Sequence, residues 1–369
     1  MCGQFGGPRR NRPWRPVRLI FAYFRRPAAL LVSGFSSSVP SATAWPGPHP
    51  LPAGAGRYQL RWLTPPTAPP LPLAAELYLY QRPAQLLAAG GLLGVALLED
   101  LAAARTVGWW PVFARPDGSA GSPAAAPFGA PQLLAADVPA PVLSAWLRTA
   151  HQHLAARGYA HLQLRLPPFA YEPGSSGPLV TALESLGYRV SRTETDTYLP
   201  LDRPYEARLH PSERRRLHKC QRHGLRVEQE PPLLLPLAYA FLRRCREEKG
   251  QALSLTEAQL TTLFRDFPRD YLLFSVRDAQ GDWAALTVAV LAGRGVLYNF
   301  YPASPLRYNA FSPVVLLNAG LHAFGQASGL RLLDLGTSSL PEGPNESLLR
   351  FKRHLGGVPS LKLTLDKDE

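Results

Sequence analysis

The sequence predicts a mixed α/β (α+β) protein built from two similar halves. Three observations lead there. From residue 57 strand-like and helix-like patterns alternate, and each half reads strand, helix, meander, helix, strand, helix, strand. That order gives a mixed, twisted sheet flanked by helices. Glycines stand where most of the helical patterns stop. Finally, 369 residues with 46% hydrophobic content suffice for two cores. Tandem domains are expected at 57–202 and 203–369, behind a leader, 1–56, expected to be disordered.

In the first half, Tyr58 to Leu63 reads as a strand and Ala74 to Ala89 as a helix containing Pro83. Gly94 to Glu99 and Arg105 to Ala114 read as a hairpin, and Pro116-Asp117-Gly118 turns the chain. Val142 to Ala156 puts Leu143, Trp146, Leu147 and Leu154 on one helical face and stops at Gly158. His161 to Leu166 alternates as a strand. Leu179 to Leu186 is a short helix ended by Gly187, and Tyr188 to Leu199 is extended.

The second half repeats the order. Leu225 to Glu228 is a short strand; Leu237 to Lys249 and Thr256 to Phe264 are helices. Tyr271 to Arg277 and Trp283 to Leu291 form a hairpin, and Gly293-Arg294-Gly295 turns into Val296 to Tyr301. Pro313 to Ala327 is a helix with proline near its first turn. Leu330 to Leu335 is a strand, Asn345 to His354 a helix ended by Gly356-Gly357, and Leu361 to Leu365 the last strand.

Composition excludes several classes. The apolar content rules out wholesale disorder, 30 glycines rule out collagen, and three cysteines rule out a disulfide scaffold. Cys2, Cys220 and Cys245 form no CxxC pair, so neither a zinc ribbon nor a redox motif is present, and free thiols fit a reducing cytoplasm. Only five of the 40 basic residues are lysine. The excess of Arg, Ala, Leu and Pro resembles the coding bias of a GC-rich bacterial genome.

The net charge of +13 is local. Residues 1–56 carry seven arginines and no acid, and 203–226 carry a further surplus of six. The remainder is neutral, so a global attraction to nucleic acid or membrane is weak. A basic start, an apolar stretch and Ser41-Ala42-Thr43-Ala44 allow an export signal, but a leader without structure is the preferred reading, and the protein is placed in the cytoplasm. No apolar run approaches the roughly 20 residues that span a bilayer.

Three pieces of sequence carry chemistry. The first is the basic stretch Leu209 to Leu225, with Gly224-Leu225 before a strand. The second is Tyr308-Asn309-Ala310-Phe311-Ser312-Pro313, opening a helix. The third is the series Leu333-Asp334-Leu335-Gly336, Asn345 to Leu348, Phe351-Lys352 and Gly356-Gly357. In this order, on these elements, they resemble the tandem-GNAT Fem-type acyltransferases, a family that includes aminoacyl transferases building peptidoglycan cross-bridges. The resemblance covers about 57–369 and is strongest after 205, with only Pro127-Phe128-Gly129 matching in the first half.

The resemblance implies two GNAT-like domains and transfer of an acyl or aminoacyl group to an amine. The acceptor would be anionic, such as a cell-envelope precursor, and no metal is implied. The donor is acyl-CoA or aminoacyl-tRNA. GNAT enzymes that use acyl-CoA carry a glycine-rich loop whose backbone N–H groups bind pyrophosphate. Leu306 to Ser312 holds no glycine, which leaves the donor open. An acyl-CoA-dependent acetyltransferase and a non-catalytic pair that binds an anionic ligand or RNA remain alternatives. No oligomeric state follows.

Each candidate has a functional and a bland role. Lys352 is an oxyanion or phosphate ligand, or part of a solvated helix face. Asp334 is a base or amine ligand at a strand end, or a loop cap. Tyr301 protonates a leaving group, or packs the core. Asn345 is a substrate donor, or the N-cap of the last helix. Arg214 and Arg215 grip substrate phosphate or tRNA, or face solvent. By the resemblance, Tyr308, Asn309, Ser312 and Phe351 line the substrate site, which would lie between Tyr301, Asp334 and Lys352. Gly336-Thr337-Ser338-Ser339 is no hydrolase elbow, and His151-Gln152-His153 lacks partners for a metal.

Overall fold

A computed structural model describes residues 44–54, 56–64, 67–340 and 343–368. Trp45–Glu369 form one compact unit. One mixed sheet of 14 strands runs through it. From one edge the order is His49–Pro50, Tyr58–Leu63, Leu92–Asp100, Arg105–Ala114, Ala120–Gly121, Leu162–Arg165, Val358–Lys367 and Arg189–Pro200. It continues through Leu332–Thr337, Val296–Asn299, Trp283–Gly293 and Tyr271–Arg277 to Arg226–Glu230, with Gln132–Leu133 beside Arg105–Ala114.

The expected division at 202/203 falls just after the strand Arg189–Pro200. That strand pairs on one side with Leu332–Thr337 and on the other with the final strand, Val358–Lys367. The final strand also pairs with Leu162–Arg165 of the first half. It buries Leu363 and Leu365 in the first-half core, with Trp110, Trp146 and Leu164. The second core gathers Leu199, Leu297, Val315, Leu321 and Leu333.

The helices follow their apolar faces. Ala140–Ala155 buries Leu143, Trp146, Leu147 and Leu154, and Trp146 meets Trp110 edge-on at 6.3 Å. Val314–Ala327 buries Val315, Leu317 and Leu321. Glu257–Asp266 starts with a capping box between Thr256 and Gln259.

Two expectations are corrected. The helix expected at Ala74–Ala89 begins only at Pro83. Proline suits the first helical position but pushes the preceding residue out of the helical region, and Arg82 accordingly has ψ 143°. The preceding stretch contains only the 3₁₀ turn Leu79–Gln81. The leader also ends sooner than expected. Trp45 stacks on Trp62 at 3.6 Å, His49–Pro50 pairs with Tyr58–Leu63, and Leu51 is buried. Residues 1–43, with most of the export-signal reading, lie outside the described residues. Among the described residues no helix is long and apolar enough to cross a membrane.

Candidate active site

The site starts from a parallel strand pair. Val296–Asn299 and Leu332–Thr337 run in register as far as Tyr298 opposite Asp334. On the other side of Leu332–Thr337, the register against Arg189–Pro200 slips between Asp334 and Thr337. This is a bulge, and Gly336 adopts φ +76° within it. Glycine reaches that left-handed conformation without a Cβ penalty.

The bulge re-aims the backbone. The Gly336 N–H donates to the Asp334 carboxylate. The Gly336 and Thr337 carbonyls turn toward Lys352, whose Nζ donates to them at 2.7 and 3.0 Å. Lys352 stands on the helix Glu346–His354, where the Asn345 side chain caps the Leu348 N–H at 3.1 Å. The lysine is 6% exposed. Burial lowers its pKa to about 8, against the opposing pull of Asp196 and Asp334.

Two carboxyls share this space. Asp334, 3% exposed, accepts a hydrogen bond from the Tyr171 hydroxyl. Tyr171 closes the first-half turn Phe169–Tyr171. Burial raises the Asp334 carboxyl above its usual value, while the Tyr171 and Gly336 bonds pull it down. Asp196, on the strand Arg189–Pro200, is 1% exposed. Burial raises it well above the carboxylate range, and Asp334 adds to the rise. Neither Asp196 oxygen has a hydrogen-bond partner among the described residues, and neither does Ser338 Oγ. Burial also raises the hydroxyls of Tyr80, Tyr171 and Tyr298, which keeps them protonated beside the carboxyls.

The structure brings Lys352 and Asp334 together. Tyr301 finds other partners: its hydroxyl meets Ser254 Oγ and the Leu255 N–H, within the cluster that includes Leu260 and Phe264. Asn345 is the helix cap, and Phe351 packs against the second core. The basic stretch forms the helix Pro211–Arg222 and joins the other two pieces. At its start His210 stacks on His354 at 4.3 Å, and at its end Lys219 Nζ donates to Ala310 O at 2.9 Å. Arg214 is spent on the Glu206 carbonyl at 2.9 Å; Arg215 is exposed, with no hydrogen-bond or ion-pair partner among the described residues.

Tyr308, Asn309 and Ser312 shape the loop before the helix Val314–Ala327. The Tyr308 hydroxyl donates to Asp278. The N–H groups of Tyr308, Asn309, Phe311, Ser312 and Val315 all donate to carbonyls inside the loop. Ser312 has φ +54°, and Pro313, which has no N–H, follows it. A pyrophosphate needs a concave run of free N–H groups. The loop has spent most of its own on itself. Among the described residues no cluster of His, Cys, Asp or Glu is placed to hold a metal.

Asp196 and Tyr171 were not singled out by the sequence. Asp196 sits in the polar run Thr193-Glu194-Thr195-Asp196-Thr197, which reads as a solvated strand. Tyr171 lies in a proline-flanked turn with no motif. Asp196 is buried between strands of the second half, and Tyr171 among Tyr78 and Phe128 of the first half and Val296 and Leu332 of the second.

Solved structures with a similar fold include FemX, at 13% identity over 79% of this chain and 92% of that one, with a TM-score of 0.61. A conserved protein of unknown function from Bacteroides thetaiotaomicron VPI-5482 matches at 9% identity over 80% of this chain and 94% of that one, with a TM-score of 0.51. L-PGS from Bacillus licheniformis aligns more loosely, at 14% identity over 70% of this chain and 80% of that one, with a TM-score of 0.46. No family model and no curated protein matches the chain. The chain thus shares its fold with FemX, a member of the type of protein that the sequence resemblance pointed to. At these identities the likeness speaks for the fold and not for a substrate.

Proposed function

We propose that the protein transfers an acyl or aminoacyl group to an amine at the centre formed by Lys352, Asp334 and Asp196. The observation that carries this reading is the buried Lys352 ammonium, held at the strand bulge by two carbonyls beside two carboxyls. An ammonium has three donors. Gly336 and Thr337 take two, which leaves one for a reacting oxygen. Attack of an uncharged amine on an activated carbonyl forms the C–N bond and puts negative charge on the carbonyl oxygen. Lys352 stabilises that charge. The Asp334 carboxylate takes the proton of the attacking nitrogen, and the proton passes to the leaving group as the bond to it breaks.

The spent loop N–H groups favour an ester donor, aminoacyl-tRNA, over acyl-CoA. The exposed face of Pro211–Arg222, with Arg215 and Arg222, suits a phosphate-bearing partner, whether the tRNA or an anionic acceptor. Such donors are cytoplasmic, and this reading places the protein there.

The test supplies the purified chain with labelled aminoacyl-tRNA or labelled acetyl-CoA and a panel of phosphorylated acceptors bearing a primary amine. Label moving from aminoacyl-tRNA to an acceptor, and lost in Lys352→Met, is the expected result. Transfer from acetyl-CoA would overturn the choice of donor. No transfer from either donor by the folded protein would overturn the proposal.

A further inference from the structure

We infer that Asp196 is a positioning residue of this centre: its carboxyl keeps a proton at neutral pH and shares it with Asp334, so that the pair carries one negative charge, matched by Lys352. Its consequence for catalysis rests on the acyl-transfer reading; the shared proton itself does not.

The argument is one of geometry and charge count. Asp196 lies in a strand paired on both sides, opposite Thr337 and opposite Ser360, and is almost wholly removed from solvent. Neither of its oxygens accepts a hydrogen bond from any described residue. An ionised carboxylate in that state would be a buried charge without a donor, which proteins avoid. A protonated one has an O–H to give. The neighbouring Asp334 accepts from Tyr171 and from the Gly336 N–H and still has lone pairs free. Two buried carboxyls that act on each other do not both ionise readily, and they titrate as a pair.

The surrounding charges agree. Lys352, from the helix Glu346–His354, is one cation. Tyr171 and Tyr298, from the first-half turn and the neighbouring parallel strand, stay neutral. Lys362, on the final strand, is only half-buried and stands in register opposite Glu194, which pairs with Arg192 at 3.2 Å; Lys352 is the cation buried with the two acids. Two ionised acids against one lysine would leave a net negative charge in a dry site. One shared proton brings the group to neutrality.

This arrangement decides what Lys352 is free to do. With the proton in place, the single negative charge balances the ammonium without closing on it as a tight pair, and the third N–H remains available. Loss of the proton while Lys352 is still charged, below about pH 8, adds a second anion, which draws the ammonium inward and away from a reacting oxygen.

Infrared spectroscopy of the full chain, with and without carbon-13 aspartate, tests the inference. The expected result is a protonated carboxylic acid band at neutral pH that moves with the label, fades as pH rises, and is absent in Asp196→Asn. No such band in the wild type at neutral pH would overturn the shared proton, and so would a band that survives in Asp196→Asn. The wild-type titration keeps the test decisive even where the variant folds poorly. If transfer is found, Asp196→Asn should also shift the alkaline limb of kcat/KM, which a purely structural role would leave in place. A band without any transfer would overturn the catalytic reading and leave the shared proton standing.

Discussion

Replacing Lys352 with methionine separates charge from packing, because the two side chains have similar length. The drop from 10.5 to about 8 means that keeping this amine charged inside the fold costs about 3 kcal/mol relative to water. Lys352→Met removes that cost but abandons two charge-assisted hydrogen bonds, each contributing about 1.5–3 kcal/mol. The two effects largely offset each other near neutral pH. The pH dependence isolates the charge. Between about 8 and 10.5 the unfolded chain binds a proton at Lys352 and the folded chain does not, so stability rises with pH across that window. Below it both states are protonated and the slope vanishes. The variant lacks this contribution. Urea unfolding in buffers spanning the window should show wild type gaining on Lys352→Met by about 3 kcal/mol, at most about 1.4 kcal/mol per pH unit. Parallel curves would refute the burial argument, and with it a perturbed ammonium at the heart of the site.

Other perturbations act on the same frame. Gly336→Ala forces a side chain into φ +76°, with its Cβ 3.4 Å from the Tyr298 ring; about 1 kcal/mol or more of stability should be lost in a thermal melt, together with transfer activity. Tyr171→Phe removes a donor that lowers the Asp334 carboxyl, so the acidic limb of the transfer rate should move to higher pH; an unmoved limb would take Tyr171 out of the site. Gly121→Ala places a Cβ 1.9 Å from the Gln163 carbonyl at φ +142°, and circular dichroism should show a chain that no longer folds cooperatively.

How much of this was legible in the sequence depended on range. Asp334 and Lys352 stood out because each sits beside a local signal, a strand end before glycine and a short capped helix. The tryptophan face of Ala140–Ala155 was legible for the same reason, since its spacing alone marks the buried side. Ala74 to Arg82 misled because apolar content and length suggested a helix, while the constraint that Pro83 imposes on Arg82 decided otherwise. Asp196 was invisible because its neighbours in sequence are polar. Its burial comes from strands that lie well over a hundred residues later in the chain. The use of Arg214 on a backbone carbonyl, and of the loop N–H groups on the loop itself, likewise depends on three-dimensional closure that no spacing rule encodes.

The division of labour between the halves makes a last prediction. The second half supplies Asp334 and Lys352, while Tyr171 and Asp196 come from the first. Two arginines of the second half secure the turn that carries Tyr171. Arg331 donates to the Ala170 carbonyl at 3.1 Å and also to that of Tyr171, and Arg294 pairs with Glu172 at 3.0 Å. In return, the final strand lies between two strands of the first half and completes its core. A fragment spanning 203–369 would therefore lose both carboxyl-side contributors and leave Leu332–Thr337 and Val358–Lys367 without their shared partner, Arg189–Pro200. Unpaired apolar edges of this kind drive association. The fragment should aggregate or lack a cooperative thermal transition, and adding residues 44–202 in trans should rescue it. A soluble, monomeric fragment with a sharp transition would show that the second half folds alone, and the dependence of the site on a shared sheet would fall with that result.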